Sequence, residues 1–119
     1  MKYKVFTYGT LMKNNRNHHY LENSKYLGDA ILNDYVLYEI YNYPGALPLK
    51  GSKVYGEVYE IDEDTKRKVD ILEDVGNLYN YKIVDVIMDN KTISVGFYEF
   101  IDNGINYPLS NIDKKWKNS

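Results

Sequence analysis

The period of apolar and polar positions changes several times along the chain, and each change predicts an element. Lys2 to Tyr8 carries Val5, Phe6 and Tyr8 and reads as a short strand that runs directly into Gly9, Thr10 and Leu11. Residues 12–23 are polar, with only a weak helical spacing from Leu11, His18 and Tyr20 or Leu21, which predicts a loop and then one or two helical turns closing near Asn23. A short strand follows over residues 25–32, a turn at Asn33-Asp34, and a second strand over Tyr35–Ile40. Tyr43-Pro44-Gly45 reads as a loop, with a brief strand over Ala46–Leu49. Lys53 to Ile61 alternates: Val54, Gly56 and Val58 fall on one face, Tyr55, Glu57, Tyr59 and Ile61 on the other. Gly56 within it points to a bulge or a close packing contact.

The period then becomes helical. Asp62 suits an N-cap, Glu63 and Asp64 suit the positive end of the dipole, and Val69, Leu72 and Val75 form a buried stripe. This predicts a helix from about Glu63 to Asp74, ended by Gly76. Tyr79–Met88 and Thr92–Ile101 read as two strands joined by a hairpin turn at Asp89-Asn90-Lys91. Residues 102–119 are a polar tail with Pro108 and Trp116, expected to wrap the body and fray at its end. Consecutive strands with short connections argue for an antiparallel or mixed sheet. Closing such a sheet removes its edges. The expected fold is α+β: a small mixed or antiparallel β-barrel of about six strands with one or two flanking helices.

Composition narrows the function. At 119 residues the chain is expected to form a single domain over residues 1–119. Hydrophobic residues at 44% and charged residues at 27% suit a globular domain. A net charge of −2 offers no footprint for nucleic acid. The absence of cysteine excludes disulfides, thiol catalysis and cysteine-based metal sites. With no signal-peptide pattern and no long apolar run, no membrane partner is expected and the expected location is cytoplasmic. The 14 tyrosines against 3 phenylalanines fit half-buried strands and pocket walls, but the accompanying Asn, Lys and Ile suggest an AT-rich coding bias, so the number carries little weight.

Two places carry candidate chemistry. In V-F-T-Y-G-T-L (Val5–Leu11) a glycine directly after a strand allows a sharp turn and close approach of backbone to a ligand, and the amides that follow can form an anion-binding nest. Taken alone, the stretch is better read as a strand end with a turn glycine. Glu73 lies four residues after Val69, on the inward face, in the last helical turn. Both the dipole and burial disfavour its charge and raise its pKa toward the range useful for proton transfer. Taken alone, a glutamate at a helix edge is better read as leaning into solvent at a cost of a few tenths of a kcal/mol. Asp74 points about 100° further round, away from Val69. His18 and His19 are adjacent and cannot share a metal on one face, the serines lack a nucleophile elbow, and Lys13-x-x-Arg16 reads as solvated surface.

Taken together, the motifs resemble the gamma-glutamylcyclotransferase-like family, particularly its small bacterial members and gamma-glutamylamine cyclotransferase. In order, they are F-T-Y-G-T-L (6–11), N-H-x-x-L (17–21), Y-L-G-D-A (26–30), Y-P-G-A-L-P (43–48), V-Y-G-E-V-Y-E-I-D (54–62) and V-D-I-L-E-D-V-x-x-L-Y (69–79). Each is weak and the ordered set is specific; it covers residues 3–100 and favours the functional reading of both places. The resemblance implies a barrel with a cavity at one end, a loop of Tyr8, Gly9, Thr10 and Leu11 that holds a glutamyl group, Glu73 as the catalytic acid and base, and Tyr43 and Tyr79 beside the substrate. It implies release of 5-oxoproline and a free amine from a small γ-glutamyl amine or amide, with no cofactor and no metal, by a monomer or weak homodimer. Two alternatives share the residues: a γ-glutamyl deprotecting enzyme of a biosynthetic pathway, and a non-catalytic metabolite-binding module. Three departures stand out. Asn14-Asn15 replaces a glycine-bearing stretch, Tyr81 replaces a frequent Arg, and Asp74 follows Glu73 where many relatives have Gly. The leaving amine is expected to meet residues 41–47 and 102–110.

Overall fold

A computed structural model describes residues 1–110 and 114–117. The described chain forms five strands and one α-helix: β1 (Lys2–Thr7), β2 (Lys25–Glu39), β3 (Pro44–Asp62), α1 (Glu63–Leu72), β4 (Tyr79–Met88) and β5 (Lys91–Phe100), with a 3-10 turn at His18–Leu21. The sheet closes into a barrel in the order β1-β3-β2-β4-β5. All its neighbours are antiparallel except β1 and β5, which close the ring in parallel through Val5 opposite Gly96. The α+β barrel is the expected fold.

The strand count is lower than the seven segments predicted from the pattern, because two expected breaks are bends inside long strands. Asn33-Asp34 does not reverse the chain. Asp34 takes a positive φ of 64°, the register with β3 shifts there, and pairing resumes at Tyr35 opposite Pro48. The Asp34 carboxylate accepts the Gly51 N–H at 2.9 Å, which ties this bend to the matching bend in β3. A long two-stranded ribbon that bends at one level can wrap round the core and close. The expected Asp89-Asn90 hairpin is present, with both residues at positive φ.

Helix α1 starts where expected, with Asp62 accepting the Thr65 N–H at 2.8 Å. Its end differs from expectation. The helix stops at Leu72, Glu73 is the C-cap, and the left-handed residue that ends the helix is Asp74 (φ 51°); Gly76, also at positive φ, lies two residues further on. The Asp74 N–H donates to the Ile71 carbonyl and the Val75 N–H to the Asp70 carbonyl, the paired bonds of a Schellman ending. Val75 therefore lies beyond the helix and is 39% exposed, and Val69 is the fully buried member of the predicted stripe.

Phe6, Phe97, Phe100, Val54, Val58 and Val95 fill the barrel interior. The expected half-exposed alternation of β3 fails between Gly56 and Tyr59, where successive residues are all buried. Other parts of the chain cover its outer face there. Gly56 is needed for close approach: a Cβ would collide with the Thr7 carbonyl and the Phe6 ring. The tail wraps the body as expected. Pro108 and Ser110 bond to Glu39 and Leu37 of β2, and Trp116 is buried in the core. The end expected to fray, residues 118–119, lies outside the described residues, as do 111–113.

Candidate active site

A cavity of about 160 Å³ opens at one end of the barrel between the loop after β1, the start of β3 and the end of α1. Tyr8, Gly9, Thr10, Leu11, Tyr43, Glu73 and Tyr79 all line it. These residues are distant in sequence. The barrel brings them together because β1 and β3 pair side by side and α1 follows directly from the end of β3.

The loop is built from its own hydrogen bonds. The Met12 N–H donates to the Gly9 carbonyl at 3.1 Å, which makes Thr10 and Leu11 the central residues of a turn. Asn17 pins the turn twice, with its backbone N–H on the Thr10 carbonyl (3.0 Å) and its side-chain amide on the Thr10 hydroxyl (2.9 Å). His18 Nδ1 lies 2.8 Å from the Leu11 carbonyl. The positive φ of this stretch falls on Asn14 (69°), the position where the sequence departs from glycine and where asparagine is the next most tolerant residue. Gly9 is required for a different reason, since a Cβ there would press on Pro44 at 3.0 Å. The N–H groups of Thr10 and Leu11 donate to no acceptor among the described residues. They are two fixed donors at the wall of a cavity, the arrangement that suits a carboxylate or a developing oxyanion.

Glu73 lines the same cavity. Its position is set by the Schellman ending, which fixes its backbone through an N–H bond to the Val69 carbonyl at 2.8 Å. Among the described residues its carboxyl has no hydrogen-bond or ion-pair partner, and burial pushes its pKa up from 4.5 to about 7. The C-terminal dipole acts in the same direction. Asp74, which follows it, is exposed and accepts the Asn77 side-chain amide at 3.1 Å, so its charge is directed to solvent.

Tyrosines form the rest of the wall. Three have fixed hydroxyls. Tyr8 donates to the Tyr98 carbonyl (2.6 Å) and accepts the Ala46 N–H (3.2 Å), Tyr79 donates to the Pro44 carbonyl (2.7 Å), and Tyr98 donates to the Asp70 carboxylate (2.6 Å). Burial pushes all three phenols well above their ordinary pKa, so they are neutral. Tyr43 differs. It is half-buried, and its hydroxyl has no partner among the described residues. Tyr81 lies outside the cavity, packed over Gly96, with the Lys66 ammonium 4.0 Å from its ring centroid and 2.9 Å from Asp70. Lys66 of α1 thus places a cation beside Asp70, the carboxylate that accepts the Tyr98 hydroxyl.

Other lining residues were not read from the sequence as site residues, Arg16, Leu72 and Tyr98 among them. Arg16, which reads as solvated surface, lies at the cavity mouth and donates to the Asn42 carbonyl at 2.8 Å, joining the loop to the 41–43 segment. Tyr98 and Leu72 also line the wall. Arg16 offered a signal in its place between the turn and the N-H-x-x-L motif; Tyr98 offered none, because strand alternation alone does not say which end of a barrel a residue faces. The 102–110 segment does not reach this cavity. It lies against Tyr38, Leu47 and Phe100 instead, so of the two stretches expected near a leaving group only 41–47 lines the site.

Comparison with known proteins identifies the family and the fold. Residues 5–118 match the family described as gamma-glutamyl cyclotransferase, AIG2-like. The gamma-glutamylcyclotransferase family protein YtfP of Escherichia coli K12 is 38% identical over 81 residues, 68% of this chain and 71% of that protein. A putative gamma-glutamylcyclotransferase of Vibrio cholerae is 46% identical over 76 residues, 63% of this chain and 65% of that protein. Among solved structures, an AIG2-like protein from Mus musculus superposes with a TM-score of 0.75 at 27% identity, covering 82% of this chain and 76% of that one.

Proposed function

The chain belongs to the gamma-glutamyl cyclotransferase, AIG2-like family, and from that premise we propose that it is an enzyme that releases 5-oxoproline and a free amine from a small γ-glutamyl amine or amide. The observation that carries the reading is a carboxyl with a pKa near 7 and no internal partner, in one cavity with two backbone N–H groups that have no internal acceptor.

The chemistry follows from what the substrate already contains. Its α-nitrogen and its γ-carbonyl lie in one molecule, so the protein must hold the bent conformer in which they meet. Orientation of this kind can supply several kcal/mol of the barrier. The loop Tyr8–Leu11 holds the glutamyl end through its N–H groups, with Tyr43 and Tyr79 walling the space beside it. Glu73 as carboxylate removes a proton from the α-ammonium, and the freed amine attacks the γ-carbonyl. A carbon–nitrogen bond forms in the five-membered ring, and the bond to the leaving nitrogen breaks. The α-nitrogen gives up two protons over the whole reaction and the leaving amine gains two, so Glu73 acts as base and then as acid for each. Near pH 7 a group of pKa about 7 is present in both forms, which suits a shuttle.

The test is substitution Glu73→Gln, followed by mass-spectrometric detection of 5-oxoproline across a panel of γ-glutamyl amines, amides and ε-lysine isopeptides. The expected result is turnover by the wild type and a loss of roughly 10²–10⁴-fold in the variant. Binding of panel members without turnover by the wild type would favour a metabolite-binding module.

A further inference from the structure

We propose that Glu57 is a positioning residue for the substrate loop, and that the C-terminal segment acts on the loop through it. The inference rests on the reading above, that the loop binds the glutamyl end. Glu57 lies in β3, is 2% exposed, and takes no part in the proton transfers assigned to Glu73.

Its carboxylate joins three parts of the chain. Oε1 accepts the Lys13 N–H at 3.0 Å and the Tyr59 hydroxyl at 2.9 Å. Oε2 accepts the Lys115 ammonium at 2.9 Å. Lys13 is two residues beyond Leu11, so its N–H ties the end of the substrate turn to the barrel wall. Lys115 comes from the tail, pairs also with Asp29 at 2.8 Å, and is followed by Trp116, which is buried and donates to Glu39 at 2.7 Å. Two adjacent tail residues therefore dock on three carboxylates of the barrel, Glu57, Asp29 and Glu39, and one of them, Glu57, holds the loop.

A buried carboxylate keeps its charge cheaply only when it is paired and hydrogen-bonded; otherwise its pKa rises, as at Glu73. Among the described residues Lys115 is the one cation that reaches Glu57; its other two partners are neutral donors. Without the ammonium, the carboxylate must turn toward solvent or draw water in, and either movement weakens the Lys13 N–H bond. The turn then spends part of its time in other conformations, and apparent affinity falls by the fraction that remains competent. Glu73 touches none of these groups, so the rate from bound substrate is unchanged.

Substitution Lys115→Met keeps the apolar stem and removes the charge at a partly exposed position, which favours a folded variant. With γ-glutamyl-alanine as substrate, KM is expected to rise roughly tenfold, a loss typical of one hydrogen bond to a charged group, with kcat within about twofold of the wild type. The midpoint of the kcat pH profile stays in place, and Lys115→Arg restores KM. By NMR, hydrogen exchange at the Lys13 amide accelerates roughly tenfold in Lys115→Met, while the Val5 and Phe6 amides keep wild-type rates. A variant with wild-type KM and wild-type Lys13 exchange, altered only in thermal midpoint, overturns the proposal by showing that the contact is merely structural. If the wild type releases no 5-oxoproline, the proposed function fails, and the Lys13 exchange rate alone decides whether Lys115 sets the loop.

Discussion

Substitution Glu73→Gln is expected to raise stability at the same time as it removes activity, and the size of the gain follows from the site. The carboxyl titrates near 7 in the folded protein and at 4.5 in the unfolded chain. Between those values the folded state holds a proton that the unfolded state has lost. Stability therefore falls as pH rises through this window and stays low above it. A separation of about 2.5 units at about 1.4 kcal/mol each gives a penalty that approaches about 3.5 kcal/mol above pH 7. Gln is neutral at every pH and nearly the same shape, so it escapes the penalty. Urea unfolding of both proteins at pH 4, 6 and 8 isolates the effect, because the other titrating groups cancel in the difference. The expected difference is close to zero at pH 4, about 2 kcal/mol at pH 6, and about 3 kcal/mol in favour of the variant at pH 8. For a chain of this size that is a thermal-midpoint gain of roughly 10 °C. Equal stability at pH 8 would falsify the argument, since it would mean that Glu73 ionises in the folded protein as easily as in water. A stabilised but inactive variant is the signature of a strained functional group.

The same carboxyl predicts that kcat/KM for a γ-glutamyl substrate falls about tenfold per pH unit below about pH 6, as the base becomes protonated with a midpoint near 7; a flat profile from pH 5 to 8 would exclude Glu73 as the base. Tyr43→Phe removes a hydroxyl with no internal partner, so stability should hold within about 0.5 kcal/mol while KM rises severalfold, measured by urea unfolding and steady-state kinetics. Tyr79→Phe, by contrast, strips the Pro44 carbonyl of its 2.7 Å donor and should cost about 1–3 kcal/mol in urea unfolding. Gly56→Ala drives a Cβ into the Thr7 carbonyl, which cannot yield as a flexible side chain would, and a destabilisation of about 3 kcal/mol or poor soluble yield is expected.

What the sequence made legible, and what it did not, separates along physical lines. The helix start at Asp62, the β4–β5 hairpin at Asp89-Asn90 and the turn after Tyr8 all depend on neighbours within four residues, and each was found where expected. The helix end was misplaced because Asp74 adopts a left-handed conformation that glycine adopts at less cost, and local preference pointed to Gly76. The bend at Asp34 read as a chain reversal because a turn residue marks positive φ, and positive φ serves a bulge as well as a hairpin.

Sequence by itself determined which groups are present and what each is chemically suited to do: a glycine-bearing turn after a strand, a glutamate on the inward face of a helix end, and an ordered set of motifs that resembles one family. Tertiary structure decided which of them meet. Burial of Glu73 depends on Tyr8, Tyr43 and Tyr79, drawn from three separated segments, and a pKa responds to the whole environment that excludes water, not to neighbours along the chain. The same holds for Glu57, whose alternating strand pattern marked it only as a face residue. Its role as a junction of loop, strand and tail exists only because residues 13, 57 and 115 fold to one point.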